Sequence, residues 1–181
     1  TLTVLPSASA LPFIQDNAQQ TAYSGQPSAL IVGNPVTADY DTVASLATTR
    51  DSLGSLPFAE REAKAIAELF GVEPLIGEAA TESAVQEQVP QANILHLAAH
   101  GKFNPVAPLN SLIALAPDEE NDGWLTVGES YGINLEHTDL VVLSACETNL
   151  GDLSAGDELV GLTRALIFAG TPSVIASLWA V

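Results

Sequence analysis

A histidine and the chain's single cysteine are the residue types best suited to chemistry. His100 is followed by Gly101, and Cys146 stands 46 positions after the histidine (146 − 100). A thiolate is a strong nucleophile, and a neighbouring imidazolium lowers the pKa of a thiol, so that the thiolate forms near neutral pH. The imidazole can act as a base and then as an acid toward a leaving group. The pair therefore has the composition of a covalent, nucleophilic catalyst.

Both residues directly follow apolar runs that are typical of buried strands. Residues 93–99 lead into His100, and residues 139–145 lead into Cys146. In an open parallel sheet the functional crevice lies beyond the carboxyl ends of the strands. If these two strands are neighbours, their terminal side chains can meet across the ~5 Å between adjacent strands. We therefore expect His100 and Cys146 on one edge of the same sheet.

The order and spacing of the two residues indicate a class of protease. A His about 50 residues before the nucleophilic Cys is the caspase arrangement, although residues 144–148 meet the caspase motif around the Cys only in part. Gly101 would let the backbone approach a substrate carbonyl. We expect the N–H groups of Gly101 and Cys146 to form an oxyanion hole.

Several carboxylates follow the cysteine on a strongly acidic chain. Glu147, Asp152 and Asp157 would favour a Lys or Arg side chain beside the scissile bond if they line the cleft. Asp157 has the alternative role of capping a helix, because Ser154 precedes it with capping-box spacing. Glu147 has the alternative of facing solvent.

The reactive residues have structural interpretations too. A lone cysteine is often a small buried apolar side chain, and a strand-end histidine is often only hydrogen-bonded. His96 shares a strand face with His100 and is interpreted either as core or as support for the site, whereas His137 is predicted at the surface. Three histidines and one cysteine are too scattered for a metal site, so we expect neither a metal nor another cofactor. Phosphate-loop, dinucleotide and serine-hydrolase motifs do not occur in the sequence.

Apolar runs alternate with helical patterns along the chain. Strands are predicted at 28–33, 93–99, 111–115, 139–145 and 173–179, with a short edge strand or loop at 72–76; helices are predicted at 60–70, 81–90, 125–129 and 159–169. Several strands are continuously apolar, which indicates burial on both faces. This pattern predicts a three-layer α/β/α sandwich around a mostly parallel sheet.

Composition limits the partners that the chain can bind. Twenty-two acidic residues against five basic ones give a net charge of −17. Such a surface repels nucleic acid and anionic membranes, so we expect neither as a partner. The surface would attract a cationic partner; the alternative is that the charge only keeps the protein soluble. No apolar run reaches the ~20 residues of a membrane span. A single cysteine cannot form an internal disulfide, so we expect a cytoplasmic protein. The chain stops inside an apolar run, so we expect residues 1–181 to be one domain cut at both ends from a longer protein.

Ordered motifs along most of the chain after residue 28 carry a resemblance. They are Gly33-Asn34-Pro35, Leu56-Pro57-Phe58-Ala59-Glu60-Arg61-Glu62-Ala63, Gly77-Glu78-Ala79-Ala80-Thr81, Ile94-Leu95-His96-Leu97-Ala98-Ala99-His100-Gly101, Asp122-Gly123-Trp124-Leu125-Thr126, Leu143-Ser144-Ala145-Cys146-Glu147-Thr148, Gly156-Asp157-Glu158-Leu159-Val160-Gly161-Leu162-Thr163-Arg164-Ala165 and Ala169-Gly170-Thr171-Pro172-Ser173-Val174-Ile175-Ala176-Ser177-Leu178-Trp179. In their order and spacing they resemble the CHAT domain, a caspase-like domain that is commonly joined to tetratricopeptide repeats in bacteria and is related to separases, caspases and gingipains.

The resemblance implies a caspase-like fold and a His100–Cys146 dyad that cleaves a protein or peptide substrate without a cofactor. It also implies a regulatory repeat domain in the full-length protein, which would keep the protease latent until a neighbouring domain or partner releases it. In separases an acidic residue past the Leu-Trp motif helps to bind a basic P1 side chain, and that stretch is beyond Val181 here. The competing interpretation is a catalytically silent interaction module, and a weaker one is a redox-sensing thiol at Cys146.

Overall fold

Five parallel strands form the central sheet of the computed structural model, which describes residues 27–37, 53–102, 104, 106–145 and 155–176, the stretch 155–160 by its backbone only. In chain order the strands are β1 (Ala29–Pro35), β2 (Leu75–Gly77), β3 (Ile94–Ala98), β4 (His100–Lys102), β5 (Leu112–Ala114), β6 (Trp124–Thr126), β7 (Leu140–Leu143) and β8 (Val174–Ala176). The central sheet has the order β2-β1-β3-β7-β8, and each neighbouring pair is parallel.

Within the stretches that the structure describes, four α-helices connect these strands. They are α1 (Pro57–Phe70), α2 (Glu82–Gln88), α3 (Val127–Ser130) and α4 (Ala155–Phe168). Helix α1 has a proline in its first turn and ends at Gly71, whose φ of 67° is left-handed. Such a φ costs a glycine little, and the backbone N–H of Gly71 closes the last turn. Thr81 and Thr126 accept hydrogen bonds from the first turns of α2 and α3, so both helices begin at side-chain caps.

The two faces of the central sheet bury different side chains. Leu30, Val32, Leu95 and other alternate residues join the main core, which also contains buried residues of α2 and α4. Ile31 on the opposite face packs with Ala63 and Ala67 of α1. Because a strand directs successive side chains to opposite faces, one sheet is covered on both sides. The predicted three-layer α/β/α sandwich with a mostly parallel sheet is thus confirmed.

Helix α1 lies unusually close to the central sheet. A Cβ built on Gly33 of β1 would lie 2.4 Å from the Cβ of Ala63 and 2.9 Å from the carbonyl oxygen of Ala59. No side chain fits between two backbones at that separation, so the strand needs glycine at this position. The close approach brings the first turns of α1 to the carboxyl end of β1.

A second, antiparallel sheet of order β4-β5-β6 corrects one sequence prediction. Residues 111–115 are a strand, as predicted, but β5 belongs to this sheet and not to the parallel one. Neither β4 nor β6 was predicted, because three residues are too few to show a hydrophobic period. The helix predicted at 125–129 begins only after Thr126, and β6 precedes it. Among the described residues, no helix combines the length and apolarity needed to cross a membrane.

Candidate active site

The strands that carry the two reactive residues are neighbours. Leu97 of β3 pairs with Leu143 of β7, and the N–H of Ser144 donates to the carbonyl oxygen of Leu97 at 2.9 Å. His100 stands three residues after Leu97 (100 − 97), and Cys146 stands three residues after Leu143 (146 − 143). Both strands end at the same edge of the sheet, as expected for parallel neighbours.

The structure does not test the dyad distance. Cys146, Glu147 and Asp152 lie outside the described residues, and Asp157 is described only as backbone within α4. The predicted roles of these four residues therefore stay predictions. The histidine half of the dyad and the carboxyl ends of β1, β3 and β7 are described.

His100 is buried at the start of β4 and is held by a backbone carbonyl. His100 is 9% exposed, and its backbone pairs with that of Ala114 in β5. Its Nε2 lies 2.6 Å from the carbonyl oxygen of Gly54. A carbonyl oxygen can only accept, so Nε2 carries the proton in this contact. In the neutral ring Nδ1 is then the nitrogen that can take a proton from a thiol.

Gly101 brings the backbone of β4 next to the end of β7. A Cβ built on Gly101 would lie 3.5 Å from the Cβ of Ala145, the residue that precedes Cys146. Gly101 is itself buried. The two residues with predicted oxyanion N–H groups, Gly101 and Cys146, thus belong to backbone segments that converge at Ala145. The oxyanion hole itself stays a prediction.

Asn34 anchors the segment that supplies the carbonyl of Gly54. It ends β1 with a φ of 47°, and its Oδ1 accepts from the N–H of Leu56 at 2.6 Å and from the Oγ of Ser55 at 3.3 Å. Its Nδ2 donates to Glu60 of α1 at 3.0 Å. In the sequence, Gly33-Asn34-Pro35 is recognisable only as a family motif. The contact of His100 with the carbonyl of Gly54, 46 residues away, could not be predicted from the sequence.

His96 supports the site from within the sheet. It is 5% exposed, and its Nε2 lies 2.9 Å from Oε1 of Glu62 on α1. Oε2 of Glu62 accepts from the Oγ of Ser144 at 3.2 Å. Glu62 therefore bridges β3 and β7 just below their carboxyl ends, two residues before Cys146. The sequence left core and support open for His96, and the structure shows a buried residue that reaches Ser144 through Glu62.

Electrostatics keep the His96 ring neutral. Burial lowers its pKa below the ordinary value, and the negative charge and hydrogen bond of Glu62 offset only part of that effect. A neutral ring donates one N–H to the carboxylate. Ser144, Glu62 and His96 do not form a nucleophile–base–acid triad, because the carboxylate stands between the hydroxyl and the imidazole.

The remaining predictions concern His137 and metals. His137 is exposed in a turn, as predicted. Across the described stretches, no group of three or more His, Cys, Asp or Glu residues is arranged to hold a metal ion. The described part of the site thus consists of one histidine, a glycine and their hydrogen-bonded supports.

Comparison with known proteins identifies the family. The CHAT domain family matches residues 1–181, which is the whole chain. The chain is also similar to Tetratricopeptide repeat protein 28 of Mus musculus, at 28% identity over 197 residues and 89% of this chain. The protein of the same name from Homo sapiens is 28% identical over 193 residues, or 88% of this chain. The chain spans only 8% of the length of each relative.

The parallel α/β sheet agrees with a caspase-like fold, and the match along the whole sequence shows that the chain belongs to the CHAT domain family, which is caspase-like.

Proposed function

We propose that this chain is a cysteine endopeptidase domain in which His100 and Cys146 are the catalytic dyad. The observation that carries the proposal is the register of β3 and β7. Both residues follow register partners by three positions, at the carboxyl ends of adjacent parallel strands. Membership of a caspase-like family supports the same assignment.

The chemistry follows from these positions. Nδ1 of His100 takes the thiol proton, and the thiolate of Cys146 attacks the carbonyl carbon of the scissile peptide. The N–H groups of Gly101 and Cys146 donate to the oxyanion of the tetrahedral intermediate. The imidazolium gives its proton to the leaving amine, and the acyl chain remains on sulfur as a thioester. Water, activated by the same imidazole, then hydrolyses the thioester and frees the thiol.

The contact with Gly54 explains why Nδ1 of the His100 ring, and not Nε2, would accept the thiol proton. The hydrogen bond from Nε2 to a carbonyl holds the neutral tautomer whose Nδ1 is unprotonated. The same carbonyl stabilises the imidazolium that forms after proton transfer, because its oxygen carries partial negative charge. A backbone carbonyl thus supplies the orienting group that a carboxylate provides in a three-residue triad.

Latency and partners belong to the same proposal. The named relatives are tetratricopeptide repeat proteins, and this chain covers a small part of their length. We infer that a repeat domain in the complete protein holds the peptidase latent until a partner releases it. The substrate is a protein or peptide segment, and neither nucleic acid nor a membrane takes part.

Specificity is predicted for a basic residue beside the scissile bond. Glu147, Asp152 and Asp157 follow the nucleophile, on a chain of net charge −17. The complete protein should be profiled against a peptide library at low and high salt, with Cys146→Ala as the blank. We expect P1 Lys or Arg, with a preference that weakens in salt because exposed charges are screened beyond ~8–10 Å at physiological ionic strength. An apolar or acidic P1 preference that is indifferent to salt would reject this specificity, whereas no cleavage in the presence of its partners would favour a silent interaction module.

A further inference from the structure

We propose that Asn34 is a positioning residue for His100, which it holds through the segment 54–56. The proposal rests on the proposed function, because it concerns the base of that dyad. It assigns a role to the Gly33-Asn34-Pro35 motif that the dyad itself does not use. The argument runs from the conformation of Asn34 to its hydrogen bonds and then to the ring.

The backbone of Asn34 is in a conformation that most residues avoid. Among the described non-glycine residues, it alone has a positive φ, of 47°. For an L-residue with a Cβ the left-handed region is unfavourable, and asparagine is among the residues that tolerate it best. Glycine would adopt this φ without strain but would lose the side chain. The position therefore favours asparagine, because the hydrogen bonds of its side-chain amide offset the unfavourable backbone conformation.

The amide of Asn34 makes three hydrogen bonds at the carboxyl end of β1. Oδ1 accepts from the N–H of Leu56 at 2.6 Å and from the Ser55 hydroxyl at 3.3 Å. Nδ2 donates to Oε2 of Glu60 at 3.0 Å, and Oε1 of Glu60 accepts from Lys64 at 2.6 Å. One side chain thus joins the end of the strand, the residues before α1 and the first turn of α1.

The segment between Gly54 and Leu56 is exposed at its centre and held at its two ends. Gly54 and Ser55 are exposed, and a Cβ built on Gly54 would meet nothing within 4 Å. Leu53 packs against the second sheet before Gly54, and Ser55 and Leu56 donate to Asn34 after it. The Gly54 carbonyl therefore lies between a packed side chain and the two hydrogen bonds to Asn34, and loss of those bonds frees one side of it.

The Gly54 carbonyl in turn sets the His100 ring. The distance of 2.6 Å from its oxygen to Nε2 requires a proton on Nε2. Release of the segment would let the ring rotate and exchange tautomers, so that Nδ1 would no longer be held ready to take the thiol proton. The expected signature is a lower kcat with little change in KM, because substrate contacts stay in place.

The test compares the pH dependence of Cys146 alkylation by iodoacetamide in variants of the complete protein, read by mass spectrometry of the peptide that contains Cys146. Asn34→Gly keeps the backbone conformation without strain and removes the amide. We expect about a tenfold drop in the alkylation rate at pH 6 and a shift of the profile toward the ordinary thiol value of about 8.5. Asn34→Asp keeps the Oδ acceptors for residues 55 and 56 but loses the Nδ2 donor, so its carboxylate would face that of Glu60. Combined with Glu60→Gln, whose amide restores a donor at that contact, it should stay near the wild type.

Asn93→Gly is the matched control. The Asn93 side chain accepts from the N–H and Oγ of Ser28 at the amino end of the sheet, so its loss affects folding without touching the site. A normal profile in folded Asn34→Gly, or a collapsed profile in Asn34→Asp combined with Glu60→Gln, would overturn the role of Asn34, whereas a collapsed profile in His100→Ala would still uphold the dyad. A wild-type profile in His100→Ala would overturn the dyad and this role together. If Asn34→Gly does not fold, Asn34→Asp alone decides: repulsion from Glu60 should slow alkylation at pH 6, and Glu60→Gln should restore the rate. A wild-type rate in Asn34→Asp alone would overturn the role.

Discussion

Replacement of Cys146 by alanine is expected to abolish peptide cleavage by the complete protein, with a rate loss of about 10³-fold or more. The variant has no nucleophile, so no acyl intermediate can form on the enzyme. Replacement of His100 by alanine should cost about 10²–10⁴-fold, because the general base and acid are lost and the thiol remains. Initial rates on a peptide with Lys or Arg at P1, measured under conditions in which the wild type is active, check both values.

The control for this prediction is the fold. Both variants should retain the circular dichroism spectrum of the wild type. His137→Ala is the matched variant, because His137 is an exposed histidine in a turn outside the proposed site. This variant should cleave at the wild-type rate. Full cleavage by Cys146→Ala would place the chemistry elsewhere. Unfolding of that variant would instead favour a structural cysteine.

Glu82 gives the second large prediction, which concerns stability. Glu82 is only 2% exposed, its Oε1 accepts from Gln86 at 3.0 Å, and its buried Oε2 has no hydrogen-bond partner. Burial, together with the negative charges of Glu129, Asp122 and Asp118, raises the pKa of Glu82 from 4.5 to about 7. The folded protein therefore holds this side chain as a neutral acid where the unfolded chain would ionise it.

The sign of the pH dependence follows from that difference. The contribution of Glu82 is fully present below about pH 4.5, falls as the pH rises, and is lost above about pH 7. Glu82→Gln is neutral at every pH and is close in shape to the protonated acid. At pH 8 we expect it to raise the free energy of unfolding by up to about 3 kcal/mol, with a smaller gain at pH 5.5.

Urea unfolding at the two pH values, followed by the fluorescence of buried Trp124, measures the change. Glu87→Gln is the matched control on the same helix, where the side chain is exposed, and it should change the free energy of unfolding by less than about 0.5 kcal/mol. An equal effect of Glu82→Gln at both pH values, or a destabilisation at pH 8, would show that Glu82 is ionised in the folded protein.

The parts of the fold that the sequence predicts are those with a local signal. Strand β7 is wholly apolar and β3 is apolar except for His96, so both were predicted. The helix predicted at 60–70 is α1 (Pro57–Phe70), and the helix predicted at 81–90 is α2 (Glu82–Gln88). The parallel arrangement of the central sheet was predicted from the alternation of strands and helices, whereas the order of its strands was not predicted.

The parts that were missed depend on contacts distant in sequence. Strand β4 follows β3 after one residue, and only its pairing with β5 defines it. The bond between His100 and Gly54 uses a backbone carbonyl, which every residue possesses. The burial of Glu82 was not predicted, because an ionisable glutamate is rarely buried without an oppositely charged partner. The roles of Asn34 and Glu62 become visible only when β1, β3 and α1 are placed side by side.

The pH profile of Cys146 alkylation in the wild type and in His100→Ala tests the dyad most directly, because it reports the thiolate without need of a substrate. The account predicts a wild-type midpoint well below the ordinary thiol value of about 8.5, and a midpoint near that value when the imidazole is absent. At pH 6 the wild-type thiol should then react about 10²-fold faster than the thiol of the variant. An ordinary midpoint that is the same in both proteins would contradict the assignment of His100 and Cys146 as a catalytic pair.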